Sequence, residues 1–399
     1  MANLHGPVGA FFNRLSISRK LALLVAVLVV PVALLAYFAV DGRQAEIDLA
    51  TNERDGLQYL EVLNSLLIST QEHRSLAVFA VQGNANAKQR LETVRANIDS
   101  QVASLKKADD RTGVRFETGE LTAKAAQLWA DVTATVAAGG TPSDIERKND
   151  RLTDSLLEYL FVVGNTSELY LDPETASLQT VLATMDSLPR LGVAVDDVQA
   201  SFEETSGQIG LVGRASVAAG LTRVDDLQRE VTRALDLARQ SNTSYDRALE
   251  QPLLATQVAV KDYIIAVQDE LAGRQSGLRT KEDAVQASSR DLVTAAERVL
   301  RTDLTERVST NRREQSLVVA IAVVSSVVAI LFAWLISRSI TRPVNQLVAA
   351  ADQVSLGELE TQIRVKGSPE VVRMAEALTR MQTSLASAIE RLRTRRAAA

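Results

Sequence analysis

Two stretches of the chain, residues 21–40 and residues 317–336, are apolar and carry no charged side chain. Each has the length of about 20 residues that an α-helix needs to cross the hydrocarbon core of a bilayer. Pro31 lies within the first stretch, but proline bends a membrane helix without excluding it. The pattern therefore predicts two transmembrane helices.

Each stretch has an alternative interpretation. The first could be a cleaved signal peptide, but its apolar region is longer than usual and no small-x-small cleavage site precedes Asp41. The second could be a buried core helix, but Ser325 and Ser326 are its only polar residues. Two membrane spans remain the favoured prediction for this chain.

Residues 41–316, between the two spans, follow a helical pattern. Apolar side chains recur at spacings of three and four, as in Leu60, Leu63 and Leu67, and no strand-like alternation of useful length occurs. The segments next to the spans are the longest and are predicted to continue the membrane helices outward. We predict an all-α protein whose outer region is an elongated helical bundle. Two stacked bundles are favoured, and one bundle of six to eight helices is the alternative.

Composition and charge extend this picture. Aromatic residues make up only 4% of the chain and cysteine is absent, which favours helices and excludes disulfides and thiolate sites. Residues 1–20 and 337–399 are basic, whereas residues 41–316 are acidic. Because basic flanks stay in the cytoplasm, we expect a cell-membrane protein with both termini inside and residues 41–316 outside.

One candidate ligand site lies in the outer region. Glu72, His73 and Arg74 are consecutive polar residues between apolar helical turns, and an arginine can bind a carboxylate with two hydrogen bonds. The alternative is a solvated stripe of the bundle. No second histidine and no cysteine accompany His73 in the outer region, so a metal site has little support. The turn at Asp172-Pro173 is interpreted as a capped turn at an end of the bundle.

The region after the second span contains two heptad seams. The apolar residues of the two seams are Ile340, Val344, Leu347, Ala351 and Val354, and then Val371, Met374, Leu378, Met381, Leu385, Ala388 and Leu392. A first helix of about 21 Å is shorter than the roughly 43 Å that the connector from Gly357 to Pro369 can reach. The connector can therefore return, so that the second helix starts beside the first and runs parallel to it. A second copy of the chain would close both seams into a four-helix coiled coil; an antiparallel hairpin or a lone coiled coil is the alternative.

Residues 337–391 resemble a HAMP domain, the signal-converting linker of chemoreceptors and sensor histidine kinases. Pro343, the run Gly357-Glu358-Leu359 and Glu370 match the family's proline, Gly-acid-Leu run and acidic residue, while the neighbours of Glu370 depart from the commoner sequence. The resemblance implies a parallel homodimeric coiled coil. Signal conversion is then expected at Pro343, Leu347, Ala351, Val354, Gly357, Leu359, Glu370, Met374, Leu378, Met381 and Leu385.

The outer region resembles, more weakly, the helical sensor regions of methyl-accepting chemotaxis transducers. The stretches "EHRSLAV" and "LYLDPETASLQTVLATMDSLPRL" are similar to their Glu-Arg-Gly-Leu and Leu-Asp-Pro…Leu-Pro patterns, with Ser75 in place of the usual glycine. This resemblance implies a sensor for an unknown small-molecule ligand.

The predicted organisation is a cytoplasmic tail (1–20), a span (21–40), a sensor region (41–316), a second span (317–336), the HAMP-like region (337–391) and a final tail (392–399). A signal receptor is the predicted function, with no cofactor, nucleic acid or enzymatic activity. Residues 337–399 are too few for a kinase or cyclase domain, so we expect a separate cytoplasmic partner such as an adaptor, a kinase or a transducer hairpin, unless the chain is a transducer without its output half. A membrane-anchored assembly protein is the alternative. An enzyme acting outside has no support, because no nucleophile and base occur together.

Overall fold

The computed structural model describes residues 17–203, 210–356, 358 and 362–397. Most of the predicted N-terminal tail, Gly357 and Leu359 of the HAMP-like region, and the last two residues of the chain lie outside this part. The described residues are helical and contain no strand, which confirms the all-α prediction. The chain forms two compact units, one from Ala45–Asn311 and one from Met1–Gln44 with Arg312–Ala399.

Eleven α-helices follow one another in the described part of the chain. They are α1 Ile17–Val81, α2 Ala85–Phe116, α3 Gly119–Ala137, α4 Pro142–Thr166, α5 Thr175–Leu182, α6 Leu188–Glu203, α7 Leu211–Ser241, α8 Thr243–Leu271, α9 Leu278–Ile336, α10 Arg342–Ser355 and α11 Pro369–Ala397. A 3₁₀ turn (Leu169–Leu171) precedes α5, and π-helical turns follow α5 (Ala183–Ser187) and α9 (Ser337–Thr341).

Local side-chain chemistry sets several of the helix starts. The Asn84 side chain accepts a hydrogen bond from the backbone N–H of Ala87, and that of Asn242 accepts one from Ser244. Thr141 caps α4 in the same way, with Pro142 in the first turn, where its missing N–H costs nothing. Each capped start follows a tight turn, so consecutive helices fold back on one another.

The unit Ala45–Asn311 is a bundle of helices that lie side by side. Near Asn52, α1 meets the α4–α5 connection, because the Asn52 side chain donates to Glu168. At Asn64 it meets α9, and two turns further on it meets α4 and α6, through Asn149 and Asp197. Helices from both halves of the unit therefore contact α1 along its length. The described part of this compact unit includes all or part of nine α-helices, α1 to α9.

One continuous core fills this bundle. Its largest fully buried side chains include Tyr59, Tyr159, Tyr245, Tyr263 and Phe116, which come from three different helices and the end of a fourth. Burying each ring removes roughly 150–250 Å² from water, so these aromatics contribute a large share of the stability.

The two apolar stretches are exposed along their length. Leu24, Leu35 and Ile321, for example, expose 64%, 70% and 66% of their surface. Both helices are long and apolar enough to cross a membrane, and none of the most apolar part of either is buried in the protein. Exposing apolar surface to water costs roughly 25 cal/mol per Å². Two long apolar helices that are exposed to this extent therefore indicate a membrane protein with two spans.

Candidate functional site

The helices α10 and α11, which follow the second span, run parallel. A Cβ atom placed on Gly367, just before α11, would lie 3.2 Å from the Cβ of Pro343, which is in the first turn of α10. The two helices therefore begin side by side, and the connector between them returns along α10.

A small apolar core holds this helix pair together. Leu347 of α10 packs with Val371 and Ala375 of α11, and each of the three is at most 7% exposed. Ile363 and Val365 of the connector pack against the same core. The connector is thus part of the packed structure and fixes the position at which α11 begins.

A second apolar face of α11 is not covered by any of the residues that the structure describes. Met374, Met381 and Leu385 expose 57%, 49% and 43% of their surface. They lie at heptad spacing beside the buried face of α11, and we call these three residues the outer stripe. Three large apolar side chains on one helix face form a surface that packing against another helix would cover.

The remaining residues of the predicted signal-conversion set lie around this helix pair. Pro343 and Val354 are buried, while Ala351 is half-buried and Leu378 packs against the core. Glu370 is exposed in the first turn of α11, where hydrogen bonds from the Ser368 side chain and from its own backbone N–H lower its pKa. A carboxylate at this position also stabilises the positive end of the helix dipole.

A π-helical turn, Ser337–Thr341, joins the second span to α10. The backbone N–H of Arg342 donates to the carbonyl of Ser337, five residues earlier. Pro343 has no N–H and its ring crowds the carbonyl four residues before it, which disfavours a regular α-helical ladder here. This turn was not predicted from the sequence, in which Pro343 is the available signal.

In the outer unit, the three candidate ligand residues point in different directions. Glu72 contacts Arg90 at 2.9 Å, whereas Arg74 lies 3.4 Å from Asp150 and 3.3 Å from Asp197. His73 is buried between them. The structure therefore does not bring the three side chains together into one site.

The His73 imidazole is part of the core. Its Nδ1 donates to the Oδ1 of Asn149 at 3.3 Å, and its ring packs edge-on against Trp129 with 4.8 Å between centroids. Burial lowers the pKa of His73 to about 4, so the ring is neutral at neutral pH. His73 has the surroundings of a packed core residue.

A largely buried cluster of ionisable side chains, which no sequence pattern predicted, surrounds Arg307. Its guanidinium lies 2.9 Å from Asp172, 2.6 Å from Asp303 and 3.8 Å from Glu53. Asp172 also accepts a hydrogen bond from the backbone N–H of Glu174, so it caps the predicted turn and binds the arginine as well. Only its position in that turn could have been found from sequence.

Glu53 is the carboxyl group in this cluster whose hydrogen-bonding capacity is least well satisfied. It is 1% exposed, and its oxygens have no hydrogen-bond partner among the described residues. Burial and the nearby Asp172 raise the pKa of Glu53 to about 8, against the opposing effect of Arg307. The group therefore keeps its proton at neutral pH. No group of three histidines or carboxylates in the described part of the chain is placed to hold a metal ion.

Comparison with known proteins identifies the region after the second span. Residues 335–387 match the HAMP domain family. A protein of Acetivibrio thermocellus that is described as a sensory transducer is 31% identical over 80 residues, which is 19% of this chain and 14% of that relative. No solved structure matches the chain at a significant level. The chain thus contains a HAMP domain, as the sequence predicts, and both matches support a role in signal transduction.

Proposed function

We propose that the protein is a transmembrane receptor of the cell membrane that senses a stimulus outside the cell. In this proposal residues 41–316 lie outside, both termini lie in the cytoplasm, and the HAMP domain passes the signal to a cytoplasmic partner of the chemotaxis or two-component type. A single helix, α9, extends from Leu278 in the outer unit to Ile336 at the end of the second span. It offers a continuous element along which a displacement can travel.

The outer stripe of α11 is the observation that carries the proposal. Met374, Met381 and Leu385 are exposed in one chain, and covering them with the same face of a second copy makes a parallel four-helix coiled coil. In that homodimer, embedded in the bilayer through both pairs of spans, the helix pairs can adopt two packings of similar energy. A stimulus that favours one packing changes the arrangement of HAMP helices that is presented to the cytoplasmic partner.

Cross-linking of single cysteines tests the homodimer, because the chain contains no cysteine of its own. Leu385→Cys places a thiol in the outer stripe, and Ser387→Cys places one two residues further along α11, on the opposite side of the helix. We expect rapid disulfide dimers of the full chain in membranes for Leu385→Cys and few for Ser387→Cys. Equal cross-linking at both positions would contradict a dimer through the outer stripe.

A fusion experiment separates a receptor from an assembly protein, which would use the same coiled coil without a signal. Residues 1–391 are joined to a histidine kinase output, and Pro343→Ala and Glu370→Ala are introduced in turn. A receptor's output should change with these substitutions, because they alter the packing of α10 and α11. If neither substitution changes the kinase output, while the chain still cross-links through a cysteine at position 385, the assembly protein is favoured.

A further inference from the structure

A polar groove runs between α1, α2 and α9 of the outer unit. Its cavity of about 480 Å³ is lined by polar side chains, among them Asn64, Ser69, Gln101, Arg290 and Glu297. A second cavity of about 240 Å³ adjoins it and shares Glu72 and Arg290. The space is large enough for a small organic molecule.

One end of this groove has acceptors that lack donors. Asn64 is 3% exposed, and its amide nitrogen donates to Glu297 at 3.0 Å. The amide of Gln101 donates to Ser65 and Ser69, at 2.7 and 3.0 Å. The oxygens of both amides are buried and have no hydrogen-bond partner among the described residues. Both residues line the groove, so a small rotation of either side chain would offer its unpaired oxygen to a group that donates hydrogen bonds.

The carboxyl group of Glu297 lies at the same end. Burial raises the pKa of Glu297 to about 7, against the hydrogen bond from Asn64 that lowers it. A bound ammonium group would favour the ionised form of this carboxyl, because an adjacent positive charge lowers its pKa. The acceptor end is thus suited to a cation in particular.

Arg290 marks the other end of the groove. Its exposed guanidinium makes no ion pair within the described part of the chain, whereas the other acids that line the cavity are already paired, Glu61 with Arg301 and Glu72 with Arg90. Arg290 and Glu297 are seven residues apart on α9, which is about two helical turns or roughly 10 Å along the axis. The cavity therefore has a guanidinium at one end and, at the other, the carboxyl group of Glu297, which Asn64 and the nearby Arg301 help to ionise.

We propose that this groove binds a small extended zwitterion, with its ammonium group at Asn64, Gln101 and Glu297 and its carboxylate on Arg290. An ω-amino acid or a short peptide has charges separated in this way, whereas an α-amino acid carries both on one carbon. Binding depends on the groove alone. Its use as the stimulus rests on the proposed receptor function.

Four probes with four carbons each test the proposal. They are γ-aminobutyrate, α-aminobutyrate, butyrate and butylamine, titrated into the full chain in lipid nanodiscs by calorimetry. We expect γ-aminobutyrate to bind most tightly, with the other three at least about tenfold weaker, because each lacks one charge or the separation between the two. Butyrate or butylamine binding as tightly as γ-aminobutyrate overturns the proposal, and so does the absence of binding by every probe.

Substitutions then locate the site. Arg290→Gln and Gln101→Met should each weaken γ-aminobutyrate binding about tenfold or more. Arg298→Gln is the matched control, since Arg298 is exposed on the same helix and also makes no ion pair in the described structure. Equal effects of Arg290→Gln and Arg298→Gln contradict the site. If γ-aminobutyrate binds but leaves the output of the fusion receptor unchanged, the site stands and its role as stimulus fails.

Discussion

Buried ionisable side chains set how the outer unit responds to pH. Glu53 lies among Asp172, Glu174 and Glu168, with Arg307 as the nearby positive group, and it retains a proton that it would release in the unfolded chain. Between pH 4.5 and about 8, the folded chain therefore binds more protons than the unfolded chain at this position. Stability then falls as the pH rises through this window, and the loss is complete above pH 8.

Replacing Glu53 by glutamine removes this dependence. Glu53→Gln should stabilise the folded chain most at the alkaline end of the window and least at its acidic end, and the melting temperature should rise accordingly. The gain in the free energy of unfolding should be roughly a few kcal/mol at most. The measurement is the melting temperature of the full chain as a function of pH. Glu306→Gln, an exposed change on α9, serves as the control and should leave the profile unaltered. A Glu53→Gln profile as steep as that of the unmodified chain would show that Glu53 is ionised when folded.

His73 produces the opposite dependence in a more acidic range. Its pKa is lowered to about 4 from 6.5, so the unfolded chain binds a proton here that the folded chain excludes. Stability is therefore lost as the pH falls from 6.5 to about 4. His73→Gln keeps a donor for Asn149 but cannot titrate. It should lower stability by about 1 kcal/mol at neutral pH, through the lost contact with Trp129, and should flatten the acidic limb of the melting profile.

Helix geometry explains why the sequence did not predict which side chains come together in a site. Glu72, His73 and Arg74 are adjacent in sequence, but successive helical residues point about 100° apart, so adjacency does not make a site. The Arg307 cluster and the α1/α2/α9 groove combine residues that are far apart in the chain. Only the packing of the helices brings them together, and no local spacing records that packing.

At the scale of elements, the junction of α10 and α11 depends on a close approach at Gly367. A Cβ there would meet Val371 Cγ1 at 3.0 Å and Pro343 at 3.2 Å, which is tighter than ordinary van der Waals contact. Glycine at this position allows the connector to reach the start of α11 while staying against α10.

Gly367→Ala is therefore expected to loosen the helix pair by about 1 kcal/mol and to speed proteolytic cleavage of the connector in the full chain. Gly42→Ala is the control, because a Cβ at Gly42 meets nothing within 4 Å and lies within α1. That control should be neutral or slightly stabilising, through helix propensity. Similar cleavage rates in the two variants would show that the approach at Gly367 is not tight in solution.

Sequence patterns predicted helices better than their junctions. The apolar stretches and helical spacing predicted the all-α fold and the two spans, because hydrophobic periodicity reports directly on which face is buried. The heptad of α11 shows the limit of this reasoning. It predicted one seam, whereas in one chain Val371 and Ala375 are buried and Met374 and Met381 are exposed beside them. Spacing alone cannot separate a face buried within the chain from a face left for a partner.

For the whole molecule, the distribution of charge and the two spans predict which residues lie on each side of the membrane. Gln275→Cys places an exposed thiol in the connection between α8 and α9, and Ser384→Cys places one on the exposed side of α11. A membrane-impermeant maleimide should label Gln275→Cys in intact cells and Ser384→Cys only after lysis. Labelling of Ser384→Cys in intact cells would reverse the proposed topology and remove the HAMP domain from the cytoplasm.

The π-helical turn at Ser337–Thr341 has a consequence for how the chain tolerates changes in length. A π-helical turn accommodates one residue more than an α-helical turn, so deleting one residue there would leave the helices on either side facing as they do now. Such a deletion would restore the α-helical ladder, in which the ring of Pro343 clashes. The shortened chain should therefore fold with the faces of α9 and α10 aligned only if Pro343 is replaced in the same variant. The number of residues at this junction thus depends on the presence of proline at position 343.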